Sequence, residues 1–149
     1  MSYATGEAAI LALIQTCSGF DTTNTSQSKW KMLNSGRASG YVILRPGKFT
    51  VKALSMGIKE YTWVTMIQVW ERYKNDGTAV ASLISDIAAI TATLEANRFL
   101  GLGSSVILRS RILEGSDILE MWTKGSGPQW LRQDITLEWA EEVAPIFVE

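Results

Sequence analysis

Four glutamates near the C-terminal end of the sequence are the residues whose type and spacing come nearest to acid–base chemistry. They are Glu138, Glu141, Glu142 and Glu149. A general acid and its base need two carboxyl groups that converge on one pocket. Alternation along the predicted strand instead places Glu138 and Glu142 side by side on a polar face, which is typical of a solvated or lumen-facing acidic surface. We therefore expect no catalytic pair among these residues.

A glycine-rich segment, Gly101-Leu102-Gly103-Ser104, has some likeness to a phosphate-binding loop. Such loops join the end of a strand to the start of a helix, whereas this segment follows a predicted helix, precedes a predicted strand and has no lysine after it. The chain also has no histidine and a single cysteine, which excludes the usual zinc sites and histidine-based triads. We expect no catalytic residue, no metal and no cofactor, and we predict that the protein is not an enzyme.

A run of basic residues with aromatic residues between them is the remaining candidate for a binding site. Its members are Lys29, Trp30, Lys31, Arg37, Tyr41, Arg45, Lys48, Phe49 and Lys52. Such a surface could bind single-stranded nucleic acid through phosphate charges and base stacking. The formal net charge of −1 and the position of the lysines in short predicted strands favour an edge strand that charge protects from aggregation.

Two amphipathic helices are predicted from apolar residues that recur every three or four positions. The first covers residues 7–17, begins after a Thr5 cap and places Cys17 in the core rather than in a reactive position. The second covers residues 78–97, and its apolar stripe consists of Val80, Leu83, Ile84, Ile87, Ile90 and Leu94. Its other side carries small, weakly polar residues, so it could face either solvent or a neighbouring subunit.

Alternating apolar residues predict strands near residues 30–33, 41–44, 60–73, 104–113, 118–123 and 129–141. The strand over 60–73 is apolar on both faces, which indicates a central position in the sheet. Pro46-Gly47 is expected to end a short strand, and the polar residues 20–28 are expected to form a mobile surface loop. We predict one domain, residues 1–149, with an α+β fold: an antiparallel β-sheet of about five to six strands with two main helices packed on one face.

Tryptophan is unusually frequent, with six residues in 149. Alternation puts Trp63 and Trp70 on opposite faces of one strand, and Trp130 and Trp139 on opposite faces of another. Aromatic residues on both faces of a sheet fit an oligomer, and a larger core within one domain is the alternative.

The formal charge is divided unevenly along the chain. Residues 1–75 carry +5 and residues 76–149 carry −6. If the two halves reach different surfaces, the subunit is an electrical dipole suited to oriented packing against unlike neighbours. The alternative is that folding interleaves the two halves.

Five segments carry a resemblance to a known family. They are the N-terminal helix, WKMLNSG at 30–36, YVILRPGKF at 41–49, VWERY at 69–73 and WLRQDITLE at 130–138. In order and pattern, over nearly the whole chain, they resemble the tail terminator family of long-tailed bacteriophages, also described as minor tail or tail completion proteins. None of the segments is a catalytic signature.

The resemblance implies a structural virion protein. It would form a homohexameric ring on the last ring of tail tube protein, stop tube polymerisation and present a surface to the neck and head-completion proteins. DNA would pass through the lumen without specific recognition. We expect no secretion signal and no membrane contact, with assembly in the host cytoplasm and final residence in the neck region of the virion tail.

Candidate contact residues follow from that expectation. The expected interface residues are Arg45, Lys48, Phe49, Trp70, Glu114, Asp117 and Trp130, and the expected lumen-facing residues are Glu138, Glu141 and Glu142. Acidic residues suit the lumen because a basic lining would hold DNA by its phosphates. The segments 20–28, 46–49 and 114–117 are expected to contact stacked proteins.

Three other functions remain open from the sequence. One is another head–tail connector or neck completion protein of similar fold, and another is a host-side adaptor that binds a partner protein. The third is a small α+β ligand-binding enzyme, which predicts a deep pocket with a perturbed carboxylate near Asp134 or Glu138.

Overall fold

The computed structural model describes residues 2–27, 40–73, 78–121 and 130–143, and the predicted strand over 30–33 lies outside them. The elements in these ranges are α1 (Tyr3–Ile14), β1 (Thr25–Gln27), β2 (Gly40–Ser55), β3 (Ile58–Arg72), α2 (Thr78–Ala96), β4 (Arg109–Gly115), β5 (Leu119–Met121) and β6 (Trp130–Val143). They form one six-stranded sheet with two helices, which confirms the predicted α+β class.

The strand order in the sheet is β1-β2-β3-β6-β4, with β5 also beside β6. β1 and β2 are parallel, and the other pairs are antiparallel, so the sheet is mixed and the prediction of an antiparallel sheet is wrong for the β1–β2 pair. The last strand in sequence, β6, therefore lies between β3 and β4. β4 and β5 each pair with β6 and, in the described ranges, not with each other, although they follow one another in sequence.

β1 lies in a segment that was expected to be a mobile polar loop. The turn that leads into β1 is fixed by Asn24, which is buried. The Asn24 side chain accepts a hydrogen bond from the Asp21 backbone N–H at 2.8 Å and donates one to the Gly19 carbonyl at 2.7 Å. Thr25 and Ser26 are also buried. Polar side chains can thus be ordered and buried when backbone groups satisfy them, which a pattern of polarity alone does not reveal.

β2 is much longer than the sequence indicates, because it continues through Pro46-Gly47 to Ser55. Proline lacks an N–H and is tolerated at a sheet edge, and a register shift between Pro46 and Phe49 marks the irregularity it causes. The chain turns at Met56-Gly57, where Gly57 has φ 77°, and returns as β3. The result is a long β2–β3 hairpin.

The main core lies between the sheet and both helices. Thr65 of β3 is fully buried at its centre, where its hydroxyl accepts a hydrogen bond from the Trp139 indole N–H at 3.1 Å and lies 3.0 Å from the Tyr3 hydroxyl. Ile10 of α1 and Ile90 of α2 are fully buried in the same cluster. These contacts fix both helices on one face of the sheet, as predicted.

The helix boundaries differ from the expected ones. α1 begins at Tyr3 because Ser2, rather than Thr5, is the N-cap, with its side chain accepting from the Thr5 N–H. The helix ends at Ile14, yet Cys17 is buried in the following turn, so its predicted core position is confirmed. Burial in α2 falls on one narrow side, which leaves Ile84 55% exposed although it was expected in the apolar stripe.

α2 is long and apolar enough to span a membrane by length and composition. Leu83 and Ile90 are nevertheless fully buried in the core cluster against the sheet. Packing within the fold therefore accounts for part of the apolar character of the helix, while Val80 and Ile84 remain 39% and 55% exposed.

The strand expected over 104–113 begins later and ends later than predicted, since β4 spans Arg109–Gly115. The preceding segment turns repeatedly, with positive φ at Leu100, Gly101 and Gly103. Gly101 and Gly103 adopt these angles without strain, so the segment is a series of turns between α2 and β4 and not the start of a strand.

Gly6 of α1 provides a direct test of this core. A β-carbon at position 6 would overlap the indole ring of Trp139. We expect Gly6→Ala to lower the free energy of unfolding by about 1–3 kcal/mol in urea denaturation, because the core must shift to admit the methyl group. Helix propensity alone favours alanine by roughly 0.5–1 kcal/mol, so the sign of the change separates the two effects.

Gly115→Ala is the matched control. A β-carbon there would meet no atom closer than 3.8 Å. Its effect should stay within about 0.5 kcal/mol. A Gly6→Ala variant as stable as the wild type would contradict the described packing of α1 on Trp139.

Candidate assembly surfaces

The far part of the β2–β3 hairpin forms an exposed arm, which we define as residues 46–57. Every residue in it is exposed, and no described helix covers it. Phe49 is 58% exposed although its ring lies 5.2 Å from that of Trp63, and Met56 at the tip is 96% exposed. The expected interface residues Lys48 and Phe49 lie in the arm, and Arg45 lies directly before it in β2. The arm thus presents apolar side chains to solvent.

The arm carries only positive charge. Lys48 and Lys52 are exposed on β2, and neither forms an ion pair with a described carboxylate. Exposed lysines protect an edge strand from indiscriminate pairing. They also restrict the partners of the arm to surfaces that are apolar and acidic.

An acidic edge, defined as residues 113–120, lies at the opposite margin of the sheet. It carries exposed Glu114, Asp117 and Glu120 together with Leu113, Ile118 and Leu119, which are 43%, 36% and 38% exposed. The expected interface residues Glu114 and Asp117 are therefore surface residues, next to apolar side chains that sequence analysis did not single out.

Between β4 and β5, Ser116 fixes the acidic edge to β6. The Ser116 backbone N–H donates to the Asp134 carbonyl at 2.8 Å, and the Ser116 hydroxyl accepts from the Asp134 N–H at 2.9 Å. The Gln133 side chain donates to the Ser116 carbonyl at 2.8 Å. These hydrogen bonds hold the connection between β4 and β5 in place, so the acidic and apolar side chains are presented on an ordered segment.

The strand order separates the two halves of the sequence. β1, β2 and β3 come from the basic half and occupy one side of the sheet, whereas β6, β4 and β5 come from the acidic half and occupy the other. Over the described strands, this order fits a dipolar subunit better than interleaved halves; Lys29, Lys31 and Arg37 lie outside the described residues.

The face of the sheet away from the helices carries a second buried cluster of Tyr41, Ile43, Trp70 and Trp130. Two cation–π contacts cross between β3 and β6: the Arg132 guanidinium lies 5.4 Å from the Trp70 ring, and that of Arg72 lies 5.7 Å from the Trp130 ring. These are directly paired residues in the β3–β6 register. Such contacts stabilise cross-strand pairs when the cation is partly desolvated.

Trp70 and Trp130 were expected at a subunit interface. Each is only 3% exposed, so neither ring is on the surface of the single chain. The expected placement of Trp70 and Trp63 on opposite faces, and of Trp130 and Trp139 likewise, is confirmed by their separate clusters.

The three glutamates expected to line a lumen do not share one surface. Glu138 forms an ion pair with Arg111 at 3.1 Å, and Glu142 is exposed. Glu141 is 2% exposed and accepts a hydrogen bond from the Trp63 indole N–H at 3.2 Å. Strand alternation turns Glu141 towards the helices, so a lumen-facing position is left only for Glu138 and Glu142.

A groove of about 550 Å³ lies between the end of α2 and the start of β4. Its lining includes Leu94, Arg98, Phe99, Leu108, Arg109 and Arg111.

Burial raises the pKa of Asp134, and the neighbouring Arg132 lowers it in part. Asp134 pairs with Gln68 on the face away from the helices, however, so this carboxylate does not face the groove.

The described ranges contain no group of three or more histidine, cysteine or acidic residues placed to hold a metal ion. The enzyme alternative predicted a deep pocket and a perturbed carboxylate near Asp134 or Glu138. In the described part of the chain, neither Asp134 nor Glu138 lines the groove, although Glu138 forms an ion pair with Arg111, which does.

A pair of carboxyl groups that sequence analysis missed lies beside Gly40. A β-carbon at Gly40 would be 3.0 Å from Glu71 Oε2 and 3.5 Å from Asp86 Oδ2. Burial raises the pKa of Asp86, and a hydrogen bond with Glu71 lowers it in part. The two residues come from β3 and α2, and only the packing of the helix on the sheet brings them together.

No protein-family model matches this chain, and no curated protein matches it.

The carboxyl pair predicts a specific pH dependence. Folding raises the pKa of Asp86, so the folded protein favours the protonated carboxyl group. The contribution of this group to stability is therefore fully present below the ordinary aspartate pKa of 3.8 and is lost as the pH rises through the folded-state pKa. We expect Asp86→Asn to raise the free energy of unfolding at pH 7 by up to about 1 kcal/mol, a value limited by partial exposure. Near pH 4 the difference should disappear.

The measurement is urea denaturation of both proteins at several pH values. Asp117→Asn on the exposed acidic edge is the control, and it should produce no comparable pH-dependent gain. Destabilisation by Asp86→Asn at pH 7 would show that the ionised carboxylate has a favourable role in the fold.

Proposed function

We propose that this chain is a structural assembly subunit, the tail terminator of a long-tailed bacteriophage, which closes the head-facing end of the tail tube as a homohexameric ring. The observation that supports this proposal most strongly is the placement of a basic, apolar arm and an acidic, apolar edge at opposite margins of one sheet. The resemblance of the sequence to tail terminators supplies the particular kind of assembly.

Surfaces of this kind suit repeated contact between identical subunits. A contact that joins two different patches on identical chains repeats from subunit to subunit, and it closes into a ring when the rotation permits. Solvent-exposed apolar side chains such as Met56 and Leu54 cost little in a subunit whose neighbours cover them.

The same subunit must meet two different neighbours along the tail axis. In the proposed ring, one face rests on the tail tube protein and prevents further tube subunits from adding, while the other face receives the neck or head-completion protein. DNA passes through the lumen without sequence recognition. Exposed Glu142 suits a lumen lining, since acidic side chains do not retain phosphates.

Deleting the gene from the phage genome that encodes this chain tests the proposal. Without a terminator, tube growth has no defined stopping point, so electron micrographs of lysates should show tail tubes of abnormal and variable length that lack attached heads. Expression of the wild-type chain from a plasmid should restore tails of uniform length.

Two outcomes would contradict the terminator proposal. Infectious particles with normal tails would remove any essential role in tail completion. Tails of normal length that fail to join heads would assign the chain to the neck instead, which is the closest alternative.

A further inference from the structure

Two strand edges remain open in the described part of the chain. β1 pairs with β2 only from Val42 to Leu44, and no described strand continues along the outer side of β2 as far as Ser55. At the other margin, β4 pairs only with β6 among the described strands. Open edges expose backbone donors and acceptors that another strand can pair with, and proteins generally cover or protect them.

The side chains of the arm and of the acidic edge are complementary in charge. Arg109 and Arg111 at the start of β4 are basic, but they already form ion pairs with Glu60 and Glu138. Lys48 and Lys52 on the arm are matched by Glu114 and Asp117 on the acidic edge, and each set stands beside exposed apolar residues. Phe49, Val51 and Leu54 are 58%, 46% and 45% exposed on the arm, and Leu113 is 43% exposed on the acidic edge. Opposite charge around apolar contacts favours association and selects its orientation.

The strand directions also permit the contact. β2 is antiparallel to β3, β3 is antiparallel to β6, and β4 is antiparallel to β6. β4 therefore runs antiparallel to β2. A second copy that is moved sideways across the sheet, without being turned over, presents its β2 antiparallel to the β4 of the first copy, which is a favourable direction for edge pairing. The register places Phe49 level with Ser110, so the second copy must also shift along the strands to bring its arm beside residues 113–120.

We propose that the arm of one copy packs against the acidic edge of the next copy, and that this head-to-tail contact repeats around the ring. The occupant of each margin is a second copy of this chain, because both complementary surfaces belong to it and a repeating contact leaves neither margin open. The inference rests on the proposed ring and adds which surfaces form it. The contact is heterologous: residues 46–57 of one protomer meet residues 113–120 of its neighbour.

Charge reversal on either margin tests the contact. The arm variant is Lys48→Glu with Lys52→Glu, and the edge variant is Glu114→Lys with Asp117→Lys. Each places like charges on both sides, so sedimentation of the purified full-length chain should show a dissociation constant for the oligomer raised by about tenfold or more. The effect should shrink at high salt, which screens exposed charges.

Glu95→Lys is the matched control, because Glu95 is an exposed acidic residue on α2, outside both margins. It should leave the dissociation constant unchanged. Circular dichroism of every variant establishes that loss of association is not loss of folding.

Mixing the two defective variants gives the decisive result. In an equal mixture, the wild-type arm of the edge variant meets the wild-type edge of the arm variant, and the two reversed surfaces also have opposite charges. A head-to-tail ring should therefore form again from alternating copies, although neither variant forms it alone. A contact between two identical arms, or between two identical edges, would instead leave one of the two variants able to associate alone.

The outcomes separate the inference from the proposed function. A wild-type oligomer that tolerates both charge reversals, or a mixture that does not reassociate, overturns the arm–edge contact and leaves the ring itself in place. A wild-type chain that remains a monomer at all concentrations overturns both.

Discussion

The pairing of β3 with β6 is the constraint on which the rest of the structure depends. The ladder runs without interruption from the Lys59–Val143 pair to the Arg72–Trp130 pair and joins segments about half the chain apart. It forms the centre of the sheet, with Trp139 and Ile67 towards the helices and Trp70 and Trp130 on the other face. Because side chains alternate along both strands, this one register determines which residues enter each cluster. A shift of one residue would exchange the two faces.

The same ladder accounts for the distribution of charge. β2 and β1 extend the sheet from β3 in one direction, and β4 and β5 extend it from β6 in the other direction. The basic half of the sequence is thereby separated from the acidic half, and their outermost exposed residues lie on opposite margins. Buried aromatic and cation–π contacts stabilise the middle of the sheet, while its margins keep the unpaired edges and exposed apolar residues. The surfaces proposed for assembly are therefore a consequence of the topology.

Features that depend on local pattern were predictable from the sequence. The α+β class, the long second helix, the core position of Cys17 and the opposite faces of Trp63 and Trp70 all follow from the periodicity of apolar residues. Features that depend on contacts between residues distant in sequence could not be predicted in this way. A proline ends a strand that is hydrogen-bonded on both sides, because it lacks an N–H. Pro46 lies where β2 is paired only with β3 among the described strands, and that position depends on the strand order, which local pattern does not give. Likewise, the burial of Glu141 and the approach of Asp86 to Glu71 arise from tertiary packing that alternation does not encode.

End-on electron microscopy of the purified chain tests assembly through the margins of the sheet most directly. Averaged images should show closed rings with six-fold symmetry and an open lumen. Single particles the size of one chain at all concentrations, or symmetric pairs that close on themselves without a lumen, would contradict it.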